Sequence, residues 1–173
     1  MERDELHRMI RVDQAGEFGA TRIYEGQLAV MGDRGPHSAE IRHMAEDEAI
    51  HREKFDALMA ERRVRPTALH PFWSAAGYAL GAGTALLGPE AAMACTAAVE
   101  EEIDRHYTQQ LERLKDTGAD TELAEMIEKF REDERDHRDA ALANDAEKAP
   151  AYPLLAGAIR LGCRVAIKVS ERI

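Results

Sequence analysis

Two Glu-x-x-His pairs, Glu48 with His51 and Glu134 with His137, constrain this chain more than any other feature. An α-helix turns about 100° per residue. With Glu134 at zero, Leu123, Ile127, Phe130, His137 and Ala141 fall within roughly 60° of it. The pair therefore sits on the apolar stripe, the face that enters a core. With Glu48 at zero, Ile41, Met44, His51, Phe55 and Met59 form a matching stripe. The two align position by position: Ile41 with Ile127, Met44 with Phe130, Glu48 with Glu134, His51 with His137. Buried carboxylates without partners are costly, so this repeat demands cations or a dense hydrogen-bond network. A third pair with the same spacing, Glu40 and His43, is a decoy. Glu40 is rotated about 80° from Glu48, His43 goes further round, beside Glu46 and Asp47, and both read as surface residues.

Two further segments each offer one inward Glu. Around Glu17 the stripe is Leu6, Ile10, Ala20, Tyr24, Leu28 and Met31. Around Glu100 it is Met93, Thr96, Ile103, Tyr107, Leu111 and Leu114. Each of these Glu residues has a Tyr seven positions later. The first helix thus matches the third, and the second matches the fourth. One Glu from each of two helices, plus a Glu-x-x-His from each of the other two, is the donor set of ferritin-like dinuclear carboxylate bundles. Four carboxylates balance two divalent cations, and oxygen-rich ligation with one imidazole per metal suits Fe or Mn. Asp47 and Asp133 directly precede Glu48 and Glu134. A metal-bound His commonly donates its second ring N–H to an acceptor. These Asp residues are placed either to accept from the His of the facing helix or to stand in solvent.

The remaining pattern agrees with such a bundle in one domain spanning residues 1–173. Ala, Leu, Glu and Arg are common and aromatics few, which favours helix. Helical patterning runs from about Asp4 to Met31 and from Ser38 to Arg62, with a break at Gly32–His37 between them. It resumes from Pro89 to Lys115 and from Thr121 to Glu147, separated by Asp116–Asp120. A further break at Ala149–Pro153 precedes a shorter C-terminal helix. The two pairs are joined by a long apolar crossover. The expected fold is all-α: a ferritin-like four-helix bundle with that crossover and an extra C-terminal helix.

Charge narrows the partners. A formal net charge of −10 argues against nucleic acid. Residues Pro66–Pro89 carry no formal charge, yet Pro71 and Gly77, Gly81, Gly83 and Gly88 argue against a clean spanning helix. Partial insertion into a membrane surface is the expectation, with a buried crossover as the alternative. Arg160, Arg164, Lys168 and Arg172 form a basic stripe beside apolar residues, a pattern that suits anionic lipid. Cys95 and Cys163 fit no zinc spacing or disulfide framework and read as buried free thiols in a reducing cytoplasm. The charged N-terminal stretch lacks the apolar core of a signal peptide.

The chain resembles the demethoxyubiquinone hydroxylases, the di-iron monooxygenases of ubiquinone biosynthesis. The likeness rests on RVDQAGEFGATRIYEGQ (Arg11–Gln27), VRPT (Val64–Thr67), GYALGAGTALLGPEAAMACTAAVEE (Gly77–Glu101), FREDERDH (Phe130–His137) and GCRVAIKVSERI (Gly162–Ile173). The resemblance implies iron ligands at Glu17, Glu48, His51, Glu100, Glu134 and His137, with Glu48 and Glu134 bridging. It implies that two Fe ions activate O2 to hydroxylate the ring of a polyprenyl demethoxyubiquinol. It also gives His106 and Tyr107 as candidate catalytic residues. Peripheral attachment to the cytoplasmic side of the inner membrane, a lipid-binding helper protein and a homo-oligomer belong to the same expectation. The alternatives are a ferritin-like iron oxidase or peroxidase, which needs no lipid surface, and a non-catalytic metal- or lipid-binding module.

Overall fold

A computed structural model describes residues 1–172; residue 173, the last of the C-terminal string, lies outside them. Six α-helices follow in order: α1 (Arg3–Met31), α2 (Ser38–Arg62), α3 (His70–Leu86), α4 (Pro89–Thr117), α5 (Thr121–Ala143) and α6 (Tyr152–Ser170). There is no strand among the described residues. The fold is the expected helical bundle, with α1 against α2 and α4 against α5 as hairpin pairs.

Local chemistry sets the helix ends. Gly32 takes a positive φ of 67° and its N–H closes α1 on the carbonyl of Leu28, a conformation glycine adopts without steric cost. Pro89 opens α4 in its first turn, where its missing N–H has no partner to lose. Asp120 caps α5 by accepting from the Leu123 N–H at 3.0 Å, and its side chain is also bound by Arg62 from α2. The α5 helix stops at Ala143, short of the Glu147 end its pattern suggests. Asn144 bonds back to Ala140 and Ala141, and Asp145 turns left-handed at φ 67°. A single 3-10 turn over Ala146–Lys148 then buries Ala146.

The apolar crossover is not a loop. It is the helix α3, laid along α1, and its glycines let the two backbones touch. A methyl group on Gly81 would stand 1.9 Å from the carbonyl oxygen of Ile23, and one on Gly26 would stand 2.3 Å from that of Tyr78. Of the glycines that argued against a clean spanning helix, Gly77 and Gly81 are therefore part of the seam of a helix pair, and Gly83 and Gly88 are not. No described helix is long and apolar enough to cross a membrane. The outer side of α3 nevertheless exposes Phe72, Tyr78 and Leu86, and Leu87 just beyond its end is exposed as well.

The C-terminal helix α6 packs on α4. Two members of its basic stripe face that neighbour. Arg164 grips Glu102 through two bonds of 2.8 and 2.6 Å, and Arg160 pairs with Glu101 at 2.7 Å. The stripe is thus partly an internal clamp, while Leu154, Leu161 and Val165 stand exposed on the same helix. Cys95 and Cys163 share one apolar seam between α4 and α6. Burial pushes both thiols up to about 12, which keeps them protonated and unreactive at neutral pH.

Candidate metal centre

The buried set on α5 is Leu123, Ile127, Phe130, Glu134, His137 and Ala141, the same six residues as its apolar stripe. On α2, Ile41, Met44, Glu48, His51, Phe55 and Met59 are all buried. The packing turns both Glu-x-x-His pairs inward, and α1 and α4 bring Glu17 and Glu100 to the same place. Each of the four carboxylates is at most 1% exposed.

The six side chains form two overlapping groups. One ligand atom from each of Glu17, Glu48, His51 and Glu134 lies within 4.8 Å of the others, and the same holds for Glu48, Glu100, Glu134 and His137. Glu48 and Glu134 belong to both. Glu40 and His43 belong to neither, and the His43 side chain is 69% exposed.

The electrostatics of the box call for positive charge. Both oxygens of Glu48 and Glu134, Oε2 of Glu17 and Glu100, and Nδ1 of both His51 and His137 are buried without a hydrogen-bond partner. Buried polar atoms are normally paired, so eight convergent orphans mark a place for cations. Burial and the neighbouring carboxylates push Glu48 and Glu100 well above the usual range. Burial pulls His51 down, but Glu134 and Glu17 outweigh it and raise the imidazole to about 11. Glu134 is pushed up by burial and held by His137 and His51 at about 2. The box therefore concentrates negative charge that protons or divalent ions can neutralise. The donor set of four carboxylates and two imidazoles fits two such ions.

The residues around the box cross between helices. Asp133 of α5 lies 3.1 Å from Nε2 of His51 on α2, and Asp47 of α2 lies 3.2 Å from Nε2 of His137 on α5. A carboxylate accepts, so each Nε2 holds a proton, and each Nδ1 faces the carboxylates of the box, where a cation would take the place of its proton. This is the facing-helix arrangement, with both Asp side chains still partly exposed, 37% for Asp133 and 32% for Asp47. Two tyrosines cross likewise. Tyr24 of α1 donates to Glu100 of α4 at 2.6 Å, while Tyr107 of α4 donates to Glu17 of α1. Burial raises both phenols well above their ordinary range, so both remain donors at neutral pH.

His106 does not reach the box. It lies 3.1 Å from Asp13, whose Oδ1 also accepts from Gln110 at 2.7 Å. Asp13 was not among the sequence candidates, although it sits four residues before Glu17, about 40° round the helix.

These features define a class: a ferritin-like bundle enclosing a carboxylate–imidazole box of the kind that holds two metal ions. Comparison with known proteins narrows it. The family model described as ubiquinone biosynthesis protein COQ7 matches residues 4–170, and the chain belongs to that family. It is 55% identical over 168 residues to the 3-demethoxyubiquinol 3-hydroxylase of Rhodospirillum rubrum, covering 97% of this chain and 78% of that one. It is 52% identical over 170 residues to the human NADPH-dependent 3-demethoxyubiquinone 3-hydroxylase, mitochondrial, with the same coverages of 97% and 78%. The 5-demethoxyubiquinone hydroxylase, mitochondrial, of Saccharomyces cerevisiae is 45% identical over 182 residues, again covering 97% and 78%. The chain is an enzyme of the hydroxylase kind these relatives represent.

Proposed function

We propose that the chain is a di-iron monooxygenase that hydroxylates the ring of a polyprenyl demethoxyubiquinol in ubiquinone biosynthesis. The observation that carries this reading is the pair of overlapping groups sharing Glu48 and Glu134. In this assignment Glu17 and His51 complete one metal position, and Glu100 and His137 complete the other. Two iron ions held there supply the activation of O2. The protein's own part is to fix the donors and keep the site dry. Asp133 and Asp47 hold the Nε2 protons, so that both Nδ1 atoms point inward. Tyr24 and Tyr107 each hold one terminal carboxylate by a donated hydrogen bond, which leaves the second oxygen of that carboxylate for metal. Phe130 stacks on His51 with Phe55 against it, and Met44 is buried near Tyr24, so water is excluded from that side.

The substrate's prenyl tail implies a lipid phase. Exposed Phe72, Leu86 and Leu87 on and beside α3, and Leu154, Leu161 and Val165 on α6, support contact with a membrane surface, without any described helix crossing it. Two electrons are needed for each turnover, and reduced nicotinamide is the proposed source, following the names of the animal relatives.

A single turnover tests the reading. The protein is loaded with Fe(II) anaerobically, mixed with a short-chain demethoxyubiquinol, and exposed to 18O2. The expected product is heavier by one labelled oxygen atom. Oxidation of Fe(II) with no labelled product, in native membranes as well as in detergent, would instead indicate an iron oxidase.

A further inference from the structure

The two halves of the bundle repeat one another, and one departure from that repeat has no structural need. Gln27 of α1 and Gln110 of α4 each stand ten residues after their terminal Glu. Each reaches across to the residue four positions before the opposite Glu. Gln27 donates to Thr96 at 3.4 Å and to the carbonyl of Ala92 at 3.0 Å, whereas Gln110 donates to Asp13 at 2.7 Å. Six residues after the terminal Glu, one half has Ile23 and the other His106. A threonine and an isoleucine meet the packing requirement on one side. On the other side the same two places hold an acid and an imidazole in contact.

Burying that acid is costly. The Asp13 side chain is fully buried, and its Oδ2 has no partner. Oδ1 is engaged by His106 and Gln110. His106 is 13% exposed and lines, with Gln110, Arg8, Glu5 and Arg113, a cavity of about 170 Å³ at the α1–α4 surface. Asp13 also stands one helical turn before Glu17 of the metal box, whose charge it feels. The matching end of the pseudo-repeat is closed. Ile23 there is packed with Cys95, Ala98 and Val99, and Thr96 is buried.

We propose that Asp13 and His106 form a proton inlet from this cavity to the metal box, serving one side of the centre only. The inference rests on the monooxygenase reading. Inserting one oxygen atom of O2 into a ring C–H bond releases the other as water, which consumes two protons and two electrons. The reduced nicotinamide named above supplies both electrons and one of these hydrogens as hydride, and the second proton comes from solvent. His106 Nε2–H donates to Asp13 Oδ1, and Oδ2, which has no other partner, passes a proton on to the oxygen leaving as water. His106 is then reprotonated from the cavity. Burial pushes the Asp13 carboxyl upward, with Glu17 adding to it and His106 and Gln110 opposing, which favours an acid that can hold a proton. The ionisable groups facing the pair are Glu17 on α1, Tyr107 on α4, and Glu5, Arg8, Arg113 and Glu171 around the cavity.

The test uses Asp13→Asn, Asp13→Ala and His106→Ile in the full chain, the last copying the other half. Iron content and thermal midpoint of Asp13→Asn should match the parent. Product formation should fall by roughly a hundredfold, the lower end of what a positioned proton donor contributes. The solvent deuterium isotope effect should grow, and acetate should restore rate to Asp13→Ala. A second readout needs neither metal nor turnover. In the metal-free protein the infrared carbonyl band of protonated Asp13 should shift after mixing into D2O, and His106→Ile should slow that shift. A wild-type rate in Asp13→Asn, or a slow variant with an unchanged isotope effect and no rescue, overturns the inlet. Failure of the parent itself to make labelled product defeats the monooxygenase reading instead, and the infrared exchange then decides the inlet alone.

Discussion

The α2–α5 half of this bundle supplies four of the six residues of the metal box and the α1–α4 half supplies two, and the halves are packed differently. The α2 and α5 helices bury a narrow stripe and leave the rest to solvent. The α1 and α4 helices are each covered twice, by the opposing bundle helices and by α3 or α6, so they bury residues on several faces. The difference teaches where chemistry can be added. A singly buried helix has room only for the ligands and the Asp residues beside them, and both are repeated symmetrically. A doubly buried helix can enclose further polar groups, and there the repeat breaks, with Asp13 and His106 on one side and Thr96 and Ile23 on the other.

The largest expected effect tests the shared residues. Glu134→Ala should abolish binding of both metal ions, while Glu40→Ala should leave iron content unchanged, as measured by iron per chain. Glu100→Ala touches one group only and should spare one ion. Equal loss in Glu134→Ala and Glu40→Ala would break the stripe argument. Next in size is the crossed support. Asp133→Ala or Asp47→Ala should weaken metal affinity by roughly tenfold to a hundredfold, read by competition with a chelator, without emptying the site at saturating metal.

The covering helix α3 offers a sharper contrast within one element. Gly81→Ala forces a methyl group into the Ile23 carbonyl and should lower stability by about 2 kcal/mol or more. Gly83→Ala meets nothing within 4 Å and should raise it by roughly 0.5–1 kcal/mol. Urea midpoints of the two variants should move in opposite directions. The smallest effect lies at the α5 cap. Asp120→Ala should cost about 1 kcal/mol at neutral pH. Burial pushes the Asp120 carboxyl up, but Arg62 and the Leu123 N–H outweigh it and hold it below its ordinary value. A depressed carboxyl stabilises the fold above its unfolded value and loses that contribution as pH falls through the folded value. The parent and Asp120→Ala should therefore begin to converge in stability as pH falls below about 4 and meet only below the depressed folded value.

Sequence legibility followed the same division. On α5 the stripe and the buried set coincide, because one face alone is covered. On α1 the stripe captured Ile10, Glu17, Ala20 and Tyr24 but not Asp13, Gln14, Thr21 or Gln27, all buried. Those residues face helices that a single wheel does not contain. Asp13 was within reach of the periodicity, yet an Asp one turn from a ligand reads as solvated until the α4 surface is in place. The basic residues of α6 do form a stripe, but it is not wholly lipid-facing, since a wheel cannot show Glu101 and Glu102 opposite Arg160 and Arg164. The crossover glycines Gly77 and Gly81 were legible as marks against a spanning helix but not as a seam. Their closeness to the α1 backbone depends on where α3 lies and leaves no periodic mark.

The measurement that tests the account most directly is iron stoichiometry with spin state. The protein is titrated anaerobically with Fe(II), oxidised with O2, and followed by Mössbauer and electron paramagnetic resonance spectroscopy. Because Glu48 and Glu134 belong to both groups, the account predicts two irons per chain, magnetically coupled through shared ligands and therefore silent in paramagnetic resonance when both are ferric. One iron per chain, or two that give the signal of isolated high-spin ferric ions, would contradict it.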